Sequence, residues 1–181
     1  MRIITGKHKG RILKTLEGID TRPMMDRMKE TIFNVIGPYF NGGVVLDLFG
    51  GCGSLGIEAI SRGVDYVYFN DLSYRAYKII EENINIIKEK DKVKLLMLDY
   101  SKAIKYLHGI KFDLVFLDPP YRMNVINNII ELLYENLNDN AYIICQGIKG
   151  NIKTEVRWLS VIKHDIYGVS EFIVFKVCKD V

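Results

Sequence analysis

Four consecutive residues, Asp118-Pro119-Pro120-Tyr121, follow the apolar run Phe112–Leu117 and combine groups suited to one kind of reaction. Proline fixes its own φ and restricts the residue before it, so the two prolines hold the Asp118 carboxylate and the Pro119 carbonyl as a rigid pair of acceptors. An exocyclic amine on a nucleobase is a poor nucleophile because its lone pair is delocalised into the ring. Acceptors that bind its N–H bonds favour the pyramidal nitrogen needed to attack a methyl group held in line. Tyr121 adds an aromatic face on which an extruded base stacks, a contact worth ~1–3 kcal/mol at comparable sites. A plain Pro-Pro turn with a helix-capping Asp is the bland alternative. Asp118, Pro119 and Tyr121 are the candidate catalytic residues.

A second group of residues reads as a cofactor site. The run Asp47-Leu48-Phe49-Gly50-Gly51-Cys52-Gly53-Ser54-Leu55-Gly56 follows a short apolar segment and contains G-x-G-x-x-G at Gly51, Gly53 and Gly56. Alone, that spacing is a weak sign of any nucleotide-containing cofactor. Asp47 sharpens it, because a carboxylate beside the loop repels a pyrophosphate and attracts the amine and sulfonium of S-adenosylmethionine. Asp71 lies twenty positions after Gly51, where a carboxylate accepts from both ribose hydroxyls. Asp99, followed by Tyr100, ends a third apolar run and is placed to accept from the adenine amine. The predicted cofactor set is therefore Asp47, Phe49, Gly51, Gly53, Asp71, Asp99 and Tyr100.

Other chemistries lack their residues. No cysteine adjoins the Asp-Pro-Pro-Tyr turn, which disfavours covalent attack on a ring carbon, and no His/Asp/Glu cluster has metal-ligand spacing, so no metal is expected. Cys52, Cys145 and Cys178 are far apart and read as reduced thiols. The first residues carry charges where a secretory signal needs an apolar segment, and no apolar run reaches the ~18 residues of a membrane span, which predicts a cytoplasmic protein without a membrane partner. The net charge is +3, but residues 1–14 hold Arg2, Lys7, Lys9, Arg11 and Lys14 with no carboxylate. Such a segment attracts a polyanion by releasing its condensed counterions. Arg2, Lys7, His8, Lys9, Arg11, Arg22 and Arg27 are the candidate nucleic-acid contacts.

The elements that must carry these residues follow from hydrophobic periodicity. Arg2–Ile4 and Arg11–Leu13 read as a hairpin turning through Gly6–Gly10, and Met25, Met28, Ile32, Val35 and Ile36 mark a helix stopped by Gly37-Pro38. From Val44 onward strands alternate with helices: Val44–Leu48, Tyr66–Asn70, Val93–Leu98, Phe112–Leu117 and Tyr142–Gln146 are strands, and Ser54–Ser61, Ser73–Lys88, Ser101–Leu107 and Val125–Asn136 are helices. The alternation predicts an α/β, doubly wound, Rossmann-like fold with a mainly parallel sheet. Leu159–Ile166 and Phe172–Val177, joined by Tyr167-Gly168-Val169-Ser170, add an antiparallel hairpin and bring the sheet to seven strands. Ligands of such sheets sit beyond the carboxyl ends of the strands, where all the acids named above fall. Residues 1–40 are predicted to form a basic arm and residues 41–181 the enzymatic domain.

These motifs resemble the bacterial 16S ribosomal RNA guanine-N2 methyltransferases nearly end to end. The resemblance rests on Arg2–Arg11, on Thr21-Arg22-Pro23 with Asp26–Glu30, on Leu46–Ala59, on Phe116–Tyr121 and on Tyr167-Gly168. It implies a class I S-adenosylmethionine-dependent methyltransferase. It also implies transfer of one methyl group to guanine N2 in 16S rRNA, on an assembled or partly assembled 30S subunit, with release of S-adenosylhomocysteine; no obligate protein partner is apparent in the sequence. The glycine loop and the Asp-Pro-Pro-Tyr turn are shared with many amino methyltransferases, whereas the N-terminal hairpin and Thr-Arg-Pro are narrower. Gly50 and Cys52 stand where the family usually has alanine and serine, and Gln146 where it often has glutamate. Three other readings compete: a DNA adenine-N6 methyltransferase, for which no target-recognition region is evident, a non-catalytic RNA-binding assembly factor on the same fold, and an NAD-dependent enzyme.

Overall fold

The structure, a computed structural model, describes residues 1–16 and 26–179. Arg22, with the rest of Thr21-Arg22-Pro23, and Met25 lie outside the described residues. The elements run α1 (Asp26–Ile36), β1 (Val44–Asp47), α2 (Ser54–Ser61), β2 (Tyr66–Asn70), α3 (Tyr74–Ile87), β3 (Val93–Leu96), α4 (Tyr100–Tyr106), β4 (Phe112–Leu117), α5 (Ile126–Leu133), β5 (Leu137–Ile148), β6 (Leu159–Tyr167) and β7 (Ser170–Val177). One seven-stranded sheet has the order β3-β2-β1-β4-β5-β7-β6. The first five strands are parallel, and β7 is antiparallel to both β5 and β6. This is the predicted architecture, and strand order reverses direction between β1 and β4, beside which a ligand crevice opens.

Strand boundaries depart from expectation at β5. Its first residues, Leu137-Asn138-Asp139-Asn140, are too polar to read as a strand, yet Leu137 pairs with Phe112 and Tyr142 with Leu114. Residues between those two pairs loop out of register. Asn140 takes a left-handed conformation at φ 65, and the Asn138 amide donates to Asp113 at 2.8 Å. The helix before it is correspondingly shorter, its final turn being the 3-10 segment Tyr134–Asn136.

Two apolar clusters sandwich the sheet. On one face α2, α3 and α1 pack on Val45, Val67, Phe69, Leu114 and Phe116. On the other, α4 and α5 cover Leu46, Leu48, Val115, Leu117 and Ile143. Ile3 and Leu13 of the N-terminal hairpin and Ile32, Phe33 and Ile36 of α1 lie in the first cluster, so the N-terminal segment shares its core with the sheet. The hairpin itself is minimal: one antiparallel bridge, Arg2 with Ile12.

Two residues of α2 anchor that hairpin: Ser61, whose hydroxyl donates to the Thr5 carbonyl and accepts from His8 N–H and whose carbonyl accepts from Lys7 N–H, and the carboxylate of Glu58. Glu58 on α2 is fully buried and accepts from the backbone N–H groups of Ile4 (2.9 Å) and Thr5 (3.0 Å). It also pairs with Arg62 at 2.8 Å and with buried Lys29 at 3.5 Å. Lys29 donates to the Arg2 carbonyl, and the Arg62 guanidinium lies 4.5 Å from the centre of the Phe33 ring. No helix among the described residues is long and apolar enough to cross a membrane.

Candidate active site

A cavity of about 660 Å³ opens at the carboxyl ends of β1, β2, β3 and β4, within the range typical of small-molecule sites. Asp47, Phe49, Gly51, Asp71, Asp99, Tyr100, Asp118, Pro119 and Tyr121 all line it, although they come from positions 47 to 121 of the chain. Parallel pairing places the strand ends side by side: Leu46 lies opposite Tyr68 and Val115, and Asn70 opposite Leu96.

The glycine loop behaves differently at its two predicted contact residues. Gly51 has φ 57, and a Cβ built on it meets nothing within 4 Å, so this residue faces open space. Gly53, with φ 78, is the residue that turns the chain into α2, and its Cβ position is enclosed by Ile80, Ile57 and Phe69. Gly53 is absent from the cavity wall; its glycine character serves the turn and the packing beneath it. Gly56 lets α2 lie against the Phe69 ring, which a Cβ there would approach to 2.3 Å.

The acids differ in their surroundings. Asp47 is 4 % exposed and accepts from the Gly56 N–H at 3.2 Å. Burial pushes its carboxyl up to about 7, with smaller contributions from the nearby charges of Asp118 and Asp71 opposing the Gly56 hydrogen bond. Asp71 accepts from Gly51 N–H and Ser73 N–H, both at 2.9 Å, and burial nevertheless raises it above the ordinary range. Asp99 caps α4, accepting from the Ser101 hydroxyl (2.6 Å) and N–H (2.9 Å), and these bonds lower its pKa. Asp118, half-buried at the end of β4, is raised to about 7 by removal from solvent. An acidic wall of this kind favours a cationic ligand and opposes a phosphate. Among the described residues no group of three His, Cys, Asp or Glu is placed to hold a metal ion.

Two residues that shape the site, Asn70 and Asn83, escaped the sequence reading. Asn70, 2 % exposed, donates to the carbonyls of Leu48 and Leu98 and accepts from Leu98 N–H, tying the ends of three strands together. Asn83 on α3 exchanges two hydrogen bonds with the Lys14 backbone and donates to the Cys52 carbonyl, which brings Thr15 and Leu16 into the cavity wall. Neither has a sequence signal, since each acts on backbone groups remote in the chain. Gln146 lines the same cavity, and its Nε2 donates to the Tyr121 hydroxyl at 3.0 Å.

Of the described candidate nucleic-acid contacts, all but His8 lie on the N-terminal surface, and none is among the residues lining the cavity. Arg2, Lys7, Lys9, Arg11 and Arg27 are exposed. Arg2 pairs with Asp26 at 3.2 Å, Lys7 with Glu89 at 2.6 Å, and Arg11 donates to the Ile86 carbonyl. His8 is turned inward: it is 5 % exposed and its Nε2 lies 2.8 Å from Glu89.

Known proteins resemble this chain over nearly its whole length. A Haemophilus influenzae protein named ribosomal RNA small subunit methyltransferase D is 34% identical over 183 residues, covering 97% of this chain and 93% of that protein. A solved Streptococcus pyogenes structure titled as a conserved hypothetical protein is 39% identical, with a TM-score of 0.77 over 84% of this chain and 97% of its own. The solved Escherichia coli protein yhhF is 27% identical and superposes with a TM-score of 0.85 over 98% of both chains. The family model described as Conserved hypothetical protein 95 matches residues 1–176, and the chain belongs to that family.

Proposed function

We propose that this chain is an S-adenosylmethionine-dependent methyltransferase that modifies the exocyclic N2 of a guanine in the 16S RNA of the small ribosomal subunit. The observation that carries the reading is that the Asp118-Pro119-Pro120-Tyr121 turn and the acids Asp47 and Asp71 line one cavity. The name of the Haemophilus relative supports ribosomal RNA of the small subunit as substrate. The resemblance of the N-terminal segment to guanine-N2 enzymes supports the atom modified.

The cavity fits the cofactor. Asp47 and Asp71 supply carboxylates for a cationic amine and a ribose, open space over Gly51 admits the ligand to the backbone, and Phe49 and Tyr100, whose ring centres lie 6.2 Å apart, flank it. When bound, S-adenosylmethionine supplies an electrophilic methyl group and leaves as S-adenosylhomocysteine. The protein's own residues do the rest. Asp118 and the Pro119 carbonyl accept the two N–H bonds of the guanine amine and set its lone pair towards the methyl group. Tyr121 stacks the base. As the N–C bond forms, the amine sheds a proton, and Asp118, titrating near 7, takes it up and passes it to solvent. The basic residues of the N-terminal 40, Lys9 and Arg27 among them, contact rRNA phosphates on a 30S subunit or its assembly intermediate.

Transfer of tritiated methyl groups to undermethylated 30S subunits, to naked 16S RNA and to duplex DNA, followed by nucleoside mass spectrometry, tests the proposal. N2-methylguanosine in RNA is expected; N6-methyladenosine in DNA alone overturns it. Asp118→Ala is expected to lower transfer by on the order of 100-fold or more while leaving cofactor affinity within about twofold.

A further inference from the structure

Gln146 carries a buried polar atom without a hydrogen-bond partner. Leu117 of β4 pairs with Cys145 of β5, so Asp118 and Gln146 follow at matching positions on neighbouring parallel strands. Cys145 is buried in the core under α5, and the alternation of side chains along β5 turns Gln146 to the other face, where it lines the cavity with Asp118, Pro119 and Tyr121. Its Nε2 is committed to the Tyr121 hydroxyl at 3.0 Å. Its Oε1 is buried and has no hydrogen-bond partner, alone among the buried side-chain polar atoms of the described residues. Burying an amide oxygen without a donor is unfavourable, and on a residue that lines a ligand cavity the debt is met when a small rotation of the side chain lets a ligand donate to it.

The chemistry of the bases says which donor. The amine of adenine is flanked by N1 and that of cytosine by N3, and both ring nitrogens are acceptors. Guanine alone among the standard bases carries a ring N–H, at N1, beside its amine. We infer that Gln146 Oε1 accepts the N1–H of the target guanine while Asp118 and the Pro119 carbonyl hold its N2, making Gln146 a specificity-determining residue. An adenine or cytosine amine in the same grip would turn a lone pair against Oε1. This inference rests on the proposed methyl transfer to a base amine, and it selects guanine from the cavity itself.

The test uses single-turnover transfer to 30S RNA, after mass-spectrometric location of the modified base, with cofactor affinity measured in parallel. Gln146→Leu, close in size and without polar atoms, is expected to lower kcat/KM for RNA by about 10- to 100-fold with cofactor affinity unchanged. Gln146→Glu, which keeps an acceptor, restores most of it. A synthetic substrate carrying 2-aminopurine at the target position keeps the amine and lacks N1–H; the unmodified enzyme should disfavour it by a similar factor and Gln146→Leu should not. N2-methylguanosine formed equally well by the unmodified protein and Gln146→Leu, or an unchanged guanine to 2-aminopurine ratio, overturns the role of Gln146. The 2-aminopurine comparison with unmodified protein stands even if the leucine variant misfolds. Absence of N2-methylguanosine from the unmodified protein's products overturns the substrate reading instead, a distinct result.

Discussion

Carrying a carboxyl group out of water disfavours its ionised form, and Asp47 and Asp118 are both pushed from the ordinary 3.8 to about 7. Between those values the folded chain binds more protons than the unfolded chain, so this contribution to stability falls as pH rises from about 4 and is fully lost above about 7. A cationic ligand beside Asp47 would reverse the penalty, and its affinity would then depend on a group that destabilises the ligand-free protein. Asp47→Asn keeps an acceptor for the Gly56 N–H and removes the charge. It is expected to raise ligand-free stability at pH 8 by about 4 kcal/mol, to leave it nearly unchanged at pH 4, and to weaken S-adenosylmethionine binding at least about tenfold. Thermal unfolding at the two pH values and calorimetric titration measure both effects, and unaltered cofactor affinity would remove Asp47 from the site. The types and spacing of Asp47, Asp71 and Asp118 made them legible in the sequence. Gln146 stood out there only as a departure from the family, because an amide's role depends on which of its two ends is already satisfied.

At the scale of elements, the N-terminal hairpin is held to α2 by Ser61 and Glu58, of which Glu58 alone carries charge. Removing that carboxylate strands Lys29, Arg62 and two backbone N–H groups at once. Breaking a buried ion pair from one side typically costs ~3–5 kcal/mol, so Glu58→Ala should lower unfolding stability by about that amount, measurable by denaturant titration. A change under ~1 kcal/mol would show that water replaces the lost partner. Lys29 illustrates why such an element is hard to read in advance. In the sequence it is one more cation of a basic segment, yet in the fold it is wholly buried, and burial lowers its pKa despite Glu58. The long-range pairs that decide this, residue 4 with 58 and residue 14 with 83, leave no local periodicity.

For the molecule as a whole, the exposed cations of the N-terminal surface predict salt-dependent RNA binding. Lys9→Ala with Arg27→Ala should weaken affinity for 16S RNA and make the slope of log K against log salt shallower by about 1–2, read by filter binding across a salt series. An unchanged slope would place the phosphate contacts elsewhere. The architecture was legible because apolar runs separated by helical periodicity determine a right-handed βαβ sheet, and the acids closing those runs then converge at the strands' carboxyl ends by geometry alone. By itself the sequence determined that sheet, the Asp-Pro-Pro-Tyr turn and the anionic loop. Only the tertiary structure decided that Gly51 faces the cavity while Gly53 packs inward, that His8 and Lys29 serve carboxylates of the body, and that Gln146, on the same cavity wall as Asp118, keeps a buried oxygen without a partner. Each of those outcomes is set by the direction of a side chain or Cα relative to partners distant in the chain. Residue type and spacing specify which groups are available, and packing specifies which of them remain for a ligand.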